Sequence, residues 1–250
     1  MQHLRVMSVI ELLKPITWFA PMWAYMCGAI SAGPQLQENW LLVIIGIILA
    51  GPLVCGASQA LNDWFDRDVD AINEPNRPIP SGRIPGSWGL YIALFGFCLS
   101  IGVSSLLGPW VMVAAGLAIL GGWAYSAPPL RLKENGWLGN LTCGICYEGL
   151  PWFTAAAVAA TTLPDSRTVI LALLYSLGAH GIMTLNDFKA MEGDRALGIK
   201  TLPVQLGMTK ASRLACIVMI APQLAVIAFL FRWGAPAHAF VVLALVVAQF

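Results

Sequence analysis

Long apolar runs broken by short polar ones set the pattern of this chain. Windows almost free of charge, each close to the roughly twenty residues a helix needs to cross a bilayer, predict membrane-spanning helices at about 15–31, 40–61, 87–107, 109–125, 138–160, 168–185, 212–231 and from 236 onward. Two windows are interrupted, by Gly51-Pro52 and by Gly149 to Pro151. Neighbouring helices can satisfy the backbone groups that such breaks release, so kinks that shape a cavity are expected there. The stretch before Pro15 lacks the small-residue exit site of a cleavable signal and reads as a short interfacial lead-in. The run from Pro236 reaches Phe250 without a polar flank, and the expectation is a C-terminal truncation with the rest of the eighth helix missing.

Composition agrees with this pattern. Hydrophobic residues make up 58% of the 250 residues, charged ones 11%, and mean hydropathy is +0.73. An ordinary soluble domain carries about a quarter charged residues, so the chain reads as an all-α, polytopic integral membrane protein. A net charge of +1 offers nothing to a polyanion, and nucleic acid is not an expected partner; the lipid bilayer is. The six cysteines lie mostly inside apolar runs and read as small buried hydrophobes rather than disulfides; Cys143 and Cys146 form a CxxC with no second pair or nearby His. Charge placement is more informative than the sum. Arg5, Lys14, Arg67, Arg77, Arg83, Arg131, Lys133, Lys189, Arg195, Lys200, Lys210 and Arg213 fall on one set of connections, and Arg167 and Arg232 on the other. Twelve against two is a positive-inside bias that predicts cytoplasmic placement of the charged loops.

The stretch Asn62 to Gly82, NDWFDRDVDAINEPNRPIPSG, holds five of the thirteen acidic residues. If the second helix continues through it, Asp63, Asp66 and Asp70 fall at i, i+3 and i+7 on one face. Three adjoining carboxylates repel one another unless they are well solvated or share a cation; a hard ion such as Mg²⁺ favours carboxylate oxygen and keeps sites for phosphate. Asn62 adds a neutral oxygen on the adjoining edge. Arg67, Arg77 and Arg83 suit a phosphate rather than a second metal. The plain alternative is a polar loop capping a membrane helix.

An internal repeat argues against capping alone. With an offset of 124, Asn62 aligns on Asn186, Asp63 on Asp187, Asp66 on Ala190, Asp68 on Glu192 and Asp70 on Asp194. Helices one to four and five to eight then read as parallel repeats of one four-helix unit, with halves of about 1–130 and 131–250 in a single domain. Two acidic helix ends so related are expected to face one cavity and to suit two Mg²⁺ ions with a diphosphate between them. The connection Tyr125-Ser126-Ala127-Pro128-Pro129-Leu130-Arg131-Leu132-Lys133 supplies a third piece: Arg131 and Lys133 either meet phosphate or snorkel to the interface, and Tyr125 either joins them or belongs to an interface belt.

These residues resemble the UbiA superfamily of intramembrane prenyltransferases, marked by an NDxxDxxxD loop after the second helix and a second Asp-rich loop after the sixth. The likeness runs over essentially the whole chain. Within that superfamily it is strongest to the chlorophyll and bacteriochlorophyll synthases, through LKPITWFAPMWAY at Leu13 to Tyr25, DRDVDAINEPNRPIPSG, YSAPPLRLK and NDFKAMEGDR at Asn186 to Arg195; YEGLPW at Tyr147 to Trp152 points to the bacteriochlorophyll branch. The sequence departs from the superfamily at Ala190, where an Asp is usual, and in the lysine after Tyr125, displaced to Arg131 or Lys133. The superfamily has nine helices, so the resemblance implies a ninth beyond Phe250.

The resemblance implies transfer of a geranylgeranyl or phytyl group from its diphosphate to the propionate of chlorophyllide or bacteriochlorophyllide. It implies Mg²⁺ as cofactor, held by Asn62, Asp63, Asp66, Asp70, Asn186, Asp187, Glu192 and Asp194, with Asp63, Asp66, Asp70, Asp187 and Asp194 catalytic. Arg77, Tyr125, Arg131, Lys133, Lys189, Arg195 and Lys200 are the candidate diphosphate-binding residues, and pigment-protein assembly partners are candidates. His180 reads either as a pigment ligand or as a hydrogen-bonded core histidine; His3 and His238 read as surface residues. Tryptophans 18, 23, 64, 137 and 152 either flank a flat macrocycle or serve packing and interface belts. Rival readings are a prenyltransferase for a quinone precursor or haem and, from another class, a lipid-diphosphate transporter or binding protein.

Overall fold

A computed structural model describes residues 5–33 and 39–249; His3 and Phe250 lie outside the described residues. All eight predicted spans are helical. The elements are α1 (Val6–Leu13), α2 (Phe19–Ser31), α3 (Trp40–Asn73), α4 (Trp88–Leu107), α5 (Pro109–Ser126), α6 (residues 136–160), α7 (Ser166–Ala196), α8 (Leu202–Leu206), α9 (Met208–Arg232) and α10 (Pro236–Ala248). Five of these, α3, α4, α5, α7 and α9, are long and apolar enough to cross a membrane, and α10 is a shorter apolar helix. Among the described residues there is no strand, only an isolated parallel bridge between Asn135 and Lys200.

Both predicted interruptions appear as widened turns. Pro52 sits inside a π-helical stretch, Leu49–Cys55, in α3. A second one, Ile145–Gly149, precedes Pro151 in α6. Proline has no N–H to donate and crowds the preceding turn, and a π turn absorbs both defects without breaking the helix. The lead-in is a short helix: α1 is capped by Lys14, whose φ of +48° places it in the left-handed region, and a 3₁₀ turn, Pro15–Trp18, leads into α2.

The chain forms two compact units, Met1–Arg131 with Leu150–Thr168, and Leu132–Gly149 with Val169–Phe250. In the first unit, Tyr25, Ala29, Val43, Leu49, Val111, Ala155 and Val158 share one apolar core. The helices there approach by omitting side chains: a Cβ on Gly28 would lie 2.2 Å from the carbonyl oxygen of Trp152. Backbone contact of this kind is how small residues bind helices together where the surrounding lipid is as apolar as the core. Trp152 adds a hydrogen bond from Nε1 to Ser31 Oγ, 2.9 Å. A second cluster in this unit, Leu12, Ala57, Ala60, Leu61, Ile84, Ala93 and Phe97, lies beneath the first acidic motif.

The second unit follows the same rule. Cβ atoms on Gly144 and Gly181 would meet the carbonyl oxygens of Ser176 and Ala215 at 2.3 and 2.6 Å. Gly136 stands equally close to the backbone of Leu202, and Gly136 N donates to Lys200 O at 2.9 Å while Lys200 N donates to Glu134 O at 3.0 Å. Large apolar side chains such as Phe95, Leu106 and Leu120 point outward, which suits a lipid solvent and not water.

Candidate active site

The second predicted span does continue as helix through Asn73, so Asp63, Asp66 and Asp70 form the expected stripe on α3. Its N-terminal part is apolar and its last turns are not; Ala57, Ala60 and Leu61, in the turns before the stripe, are buried, as are Asp63 and Asp70 within it. Past Asn73 the chain turns back through Arg77 N to Glu74 O and Ser81 N to Arg77 O, both 3.0 Å, and Gly82 takes the positive φ of +75° that the turn needs. Ile84, fully buried, anchors the loop in the cluster with Leu12 and Leu61. That fold-back returns Arg77 to the stripe.

Each carboxylate of the stripe meets its own cation. Lys14 Nζ lies 2.5 Å from Asp63 Oδ1. Arg77 Nη1 lies 2.8 Å from Asp70 Oδ2 and 3.7 Å from Asp63 Oδ1. Arg131 Nη2 lies 3.3 Å from Asp66 Oδ1. Asp63 is 1% exposed and Asp70 7%, and charges so withdrawn from water require this kind of pairing. Asn62 Nδ2 donates to Ser126 Oγ at 3.4 Å, which brings the end of α5, and with it half-buried Tyr125, to the same place. Two of the three cations sit on strained backbone: Arg131 has φ +36° and Lys14 +48°, at a cost of roughly 1–2 kcal/mol each for a side chain other than glycine.

Lys14, a site residue that spacing does not single out, has its place set locally. Its carbonyl accepts from both N and Oγ1 of Thr17, at 2.9 and 2.8 Å, and Trp18 Nε1 donates to Leu13 O at 2.8 Å. The turn therefore holds the ammonium over α3. The available signal was a lysine directly before proline in a stretch with one other charge nearby, Glu11. Arg83, expected to suit phosphate, instead forms a two-point ion pair with Glu11 of α1 and donates to Asn76 O at 2.5 Å. The Arg83 hydrogen bond holds the Glu11 carboxyl below its usual range. Arg67 lies over the Trp64 ring, 4.5 Å from its centroid.

In the second unit the motif is held by neutral donors. Asn140 Nδ2, on α6, donates to Asp187 Oδ2 and to Thr184 Oγ1, each 3.2 Å, and Thr184 Oγ1 donates to His180 O at 2.9 Å. Thr201 Oγ1 donates to Asp194 Oδ2 at 3.1 Å. Among the described residues neither Asp187 nor Asp194 has an ion-pair partner. Asn186, Lys189, Glu192, Arg195 and Lys200 are exposed, and Lys133 is half-buried in the 3₁₀ turn Leu132–Glu134. Asn140 was missed as well: an Asn between Gly139 and Leu141 carries no periodic signal of its own. Near the start of each repeat, then, one donor reaches the first Asp of the motif, Lys14 for Asp63 and Asn140 for Asp187. His180 is buried beside Trp137, ring centroids 5.8 Å apart, and its Nδ1 has no hydrogen-bond partner among the described residues; His238 is exposed as expected.

Among the described residues no three Asp, Glu, His or Cys side chains converge on one point that would hold an ion. The carboxylates are drawn to separate partners instead. Their chemistry still fits a hard divalent cation: the donors are carboxylate oxygens, and Asp63 Oδ2 is buried with no hydrogen-bond partner among the described residues.

A family model described as the UbiA prenyltransferase family matches residues 20–250. The bacteriochlorophyll synthase 33 kDa chain of Cereibacter sphaeroides is 57% identical over 242 residues, which cover 97% of this chain and 80% of that one. The chloroplastic chlorophyll synthase of Oryza sativa subsp. japonica is 41% identical over 256 residues, covering 96% and 66%. Among solved structures, a UbiA homolog from Archaeoglobus fulgidus bound to GPP and Mg²⁺ superposes with a TM-score of 0.79 at 19% identity, covering 97% of this chain and 85% of that one. Fold, acidic helix ends and sequence thus converge, and the chain belongs to the UbiA family of prenyltransferases.

Proposed function

We propose that this chain esterifies the propionate of bacteriochlorophyllide or chlorophyllide with a geranylgeranyl or phytyl group taken from the corresponding diphosphate. The observation that carries the reading is the 57% identity to a bacteriochlorophyll synthase over 97% of the chain. In the reaction the C1–O bond of the prenyl diphosphate breaks, its electron pair leaves with the diphosphate, and a propionate oxygen bonds to C1. A carboxylate is already deprotonated near neutral pH, so the acceptor needs no general base. The chain's work is therefore on the leaving group.

Asn62, Asp63, Asp66 and Asp70 would hold Mg²⁺ at the first motif, and Asn186, Asp187, Glu192 and Asp194 at the second. Bound Mg²⁺ would neutralise the charge that develops on the departing diphosphate. Arg77 and Arg131, with the Tyr125 hydroxyl, would supply positive charge and a donor for diphosphate oxygens in the first unit, and Lys133, Lys189, Arg195 and Lys200 are the candidates in the second. Asn140 orients Asp187, and Thr201 orients Asp194. The excess of Lys and Arg on the loops that carry both motifs supports a cytoplasmic active site.

The test is a reconstituted assay with Mg²⁺ and geranylgeranyl diphosphate, offering bacteriochlorophyllide, chlorophyllide and a hydroxybenzoate as acceptors. The expected product is the pigment ester. Asp66→Ala and Asp70→Ala are each expected to lower turnover by at least about a hundred-fold. Full turnover in both variants would remove the metal assignment, and prenylation of the hydroxybenzoate alone would remove the acceptor.

A further inference from the structure

The first motif is paired with basic side chains of this chain. Three carboxylates, Asp63, Asp66 and Asp70, face three basic groups, Lys14, Arg131 and Arg77, at 2.5, 3.3 and 2.8 Å. The second motif differs: its side-chain donors are neutral, Asn140 to Asp187 and Thr201 to Asp194. A divalent ion entering the first motif must compete with its resident cations, and a displaced lysine or arginine carries its charge to whatever anion lies nearest. A diphosphate supplies that anion.

We infer that Lys14 is a placeholder cation: it occupies Asp63 Oδ1 in the substrate-free enzyme and moves to the diphosphate when a divalent ion takes the carboxylate, which couples metal and diphosphate binding. The inference rests on the metal-diphosphate reading given above and adds a residue and a binding order to it. Three observations carry it. Lys14 makes the shortest ion pair with a stripe carboxylate, on the most deeply buried of the three. The other oxygen of that carboxylate, Oδ2, is buried with no partner among the described residues, so Asp63 is only half satisfied by its lysine. Lys14 also stands on left-handed backbone between α1 and a 3₁₀ turn, a costly conformation whose consequence here is to reach Asp63, 49 residues away in sequence.

Metal and diphosphate affinities are then linked, and the linkage is reciprocal. Mn²⁺ binding to the full chain in detergent, followed by electron paramagnetic resonance with and without inorganic pyrophosphate, measures it directly. The unmodified chain is expected to bind Mn²⁺ weakly alone and roughly ten-fold or more tightly with pyrophosphate. Lys14→Met should bind Mn²⁺ alone several-fold more tightly, because the competitor is gone, and should lose most of the pyrophosphate enhancement. Lys14→Arg should keep the coupling. Lys14→Gly, which adopts the positive φ without strain, should behave as Lys14→Met and guards against misfolding of the latter. If Lys14→Met and Lys14→Gly match the unmodified chain in both conditions, the placeholder role is wrong and the metal assignment stands. If the unmodified chain binds no Mn²⁺ even with pyrophosphate, or if Asp63→Asn binds it equally well, the metal reading fails and takes the inference with it.

Discussion

At the scale of single residues, the site is governed by how buried carboxylates are satisfied. The same helical spacing ends in different company in the two motifs: ammonium and guanidinium groups in one, amide and hydroxyl groups in the other. Asn140 is the critical neutral case because one amide serves both Asp187 and Thr184. Its replacement by Ala leaves Asp187 without that donor and free to turn. With Asp187 as a metal ligand, as proposed, Asn140 is an outer partner of the kind that typically contributes about ten- to a hundred-fold in affinity or activity, so Asn140→Ala is expected to lower turnover by that much while its melting temperature stays within a few degrees of the parent. An unchanged rate would show that Asp187 is not positioned by Asn140. The stripe Asp63, Asp66, Asp70 was legible from spacing alone. Lys14 and Asn140 were not, since an isolated polar residue next to a span reads equally well as an interface anchor.

At the scale of elements, widened turns and missing side chains matter more than helix propensity. The π-helical stretches fall where Pro52 and Pro151 made interruptions legible. The glycine contacts were not foreseen: Gly28 and Gly144 look like any glycine in an apolar window until their neighbours are known. Gly28→Val would drive its side chain into the Trp152 backbone, 2.2 Å from even the first added carbon. Overpacking a close-packed interior costs roughly 1–3 kcal/mol, so the variant is expected to melt several degrees lower in detergent. A melting temperature equal to the parent's would mean that the backbones do not approach this closely. The element α1 is a related case. Its lead-in character was anticipated, but its service to the site, through Glu11 on Arg83 and through Lys14 on Asp63, depends on where the following turn aims the chain.

At the scale of the whole molecule, the proposed cytoplasmic placement of the charged loops is a claim about orientation that labelling can test. Ser81 lies in the charged connection after α3, and Leu163 in the short connection between α6 and α7; both are exposed. In a background without native cysteines, an impermeant thiol reagent added to intact spheroplasts should label Leu163→Cys and spare Ser81→Cys. The reverse pattern would place the acidic loops outside. The compact units also differ from the sequence halves, because residues 150–168 pack with the first unit. By itself the sequence determined which segments dissolve in lipid, which face of α3 carries carboxylates, and that the acidic pattern occurs twice; hydropathy and helical periodicity are local and can be read a few residues at a time. Only the tertiary structure decided which cation meets which carboxylate. Lys14 and Asp63 are 49 residues apart and Arg131 and Asp66 are 65 apart, and the ångström distances that make an ion pair are set by how helices pack, which no short window of sequence contains.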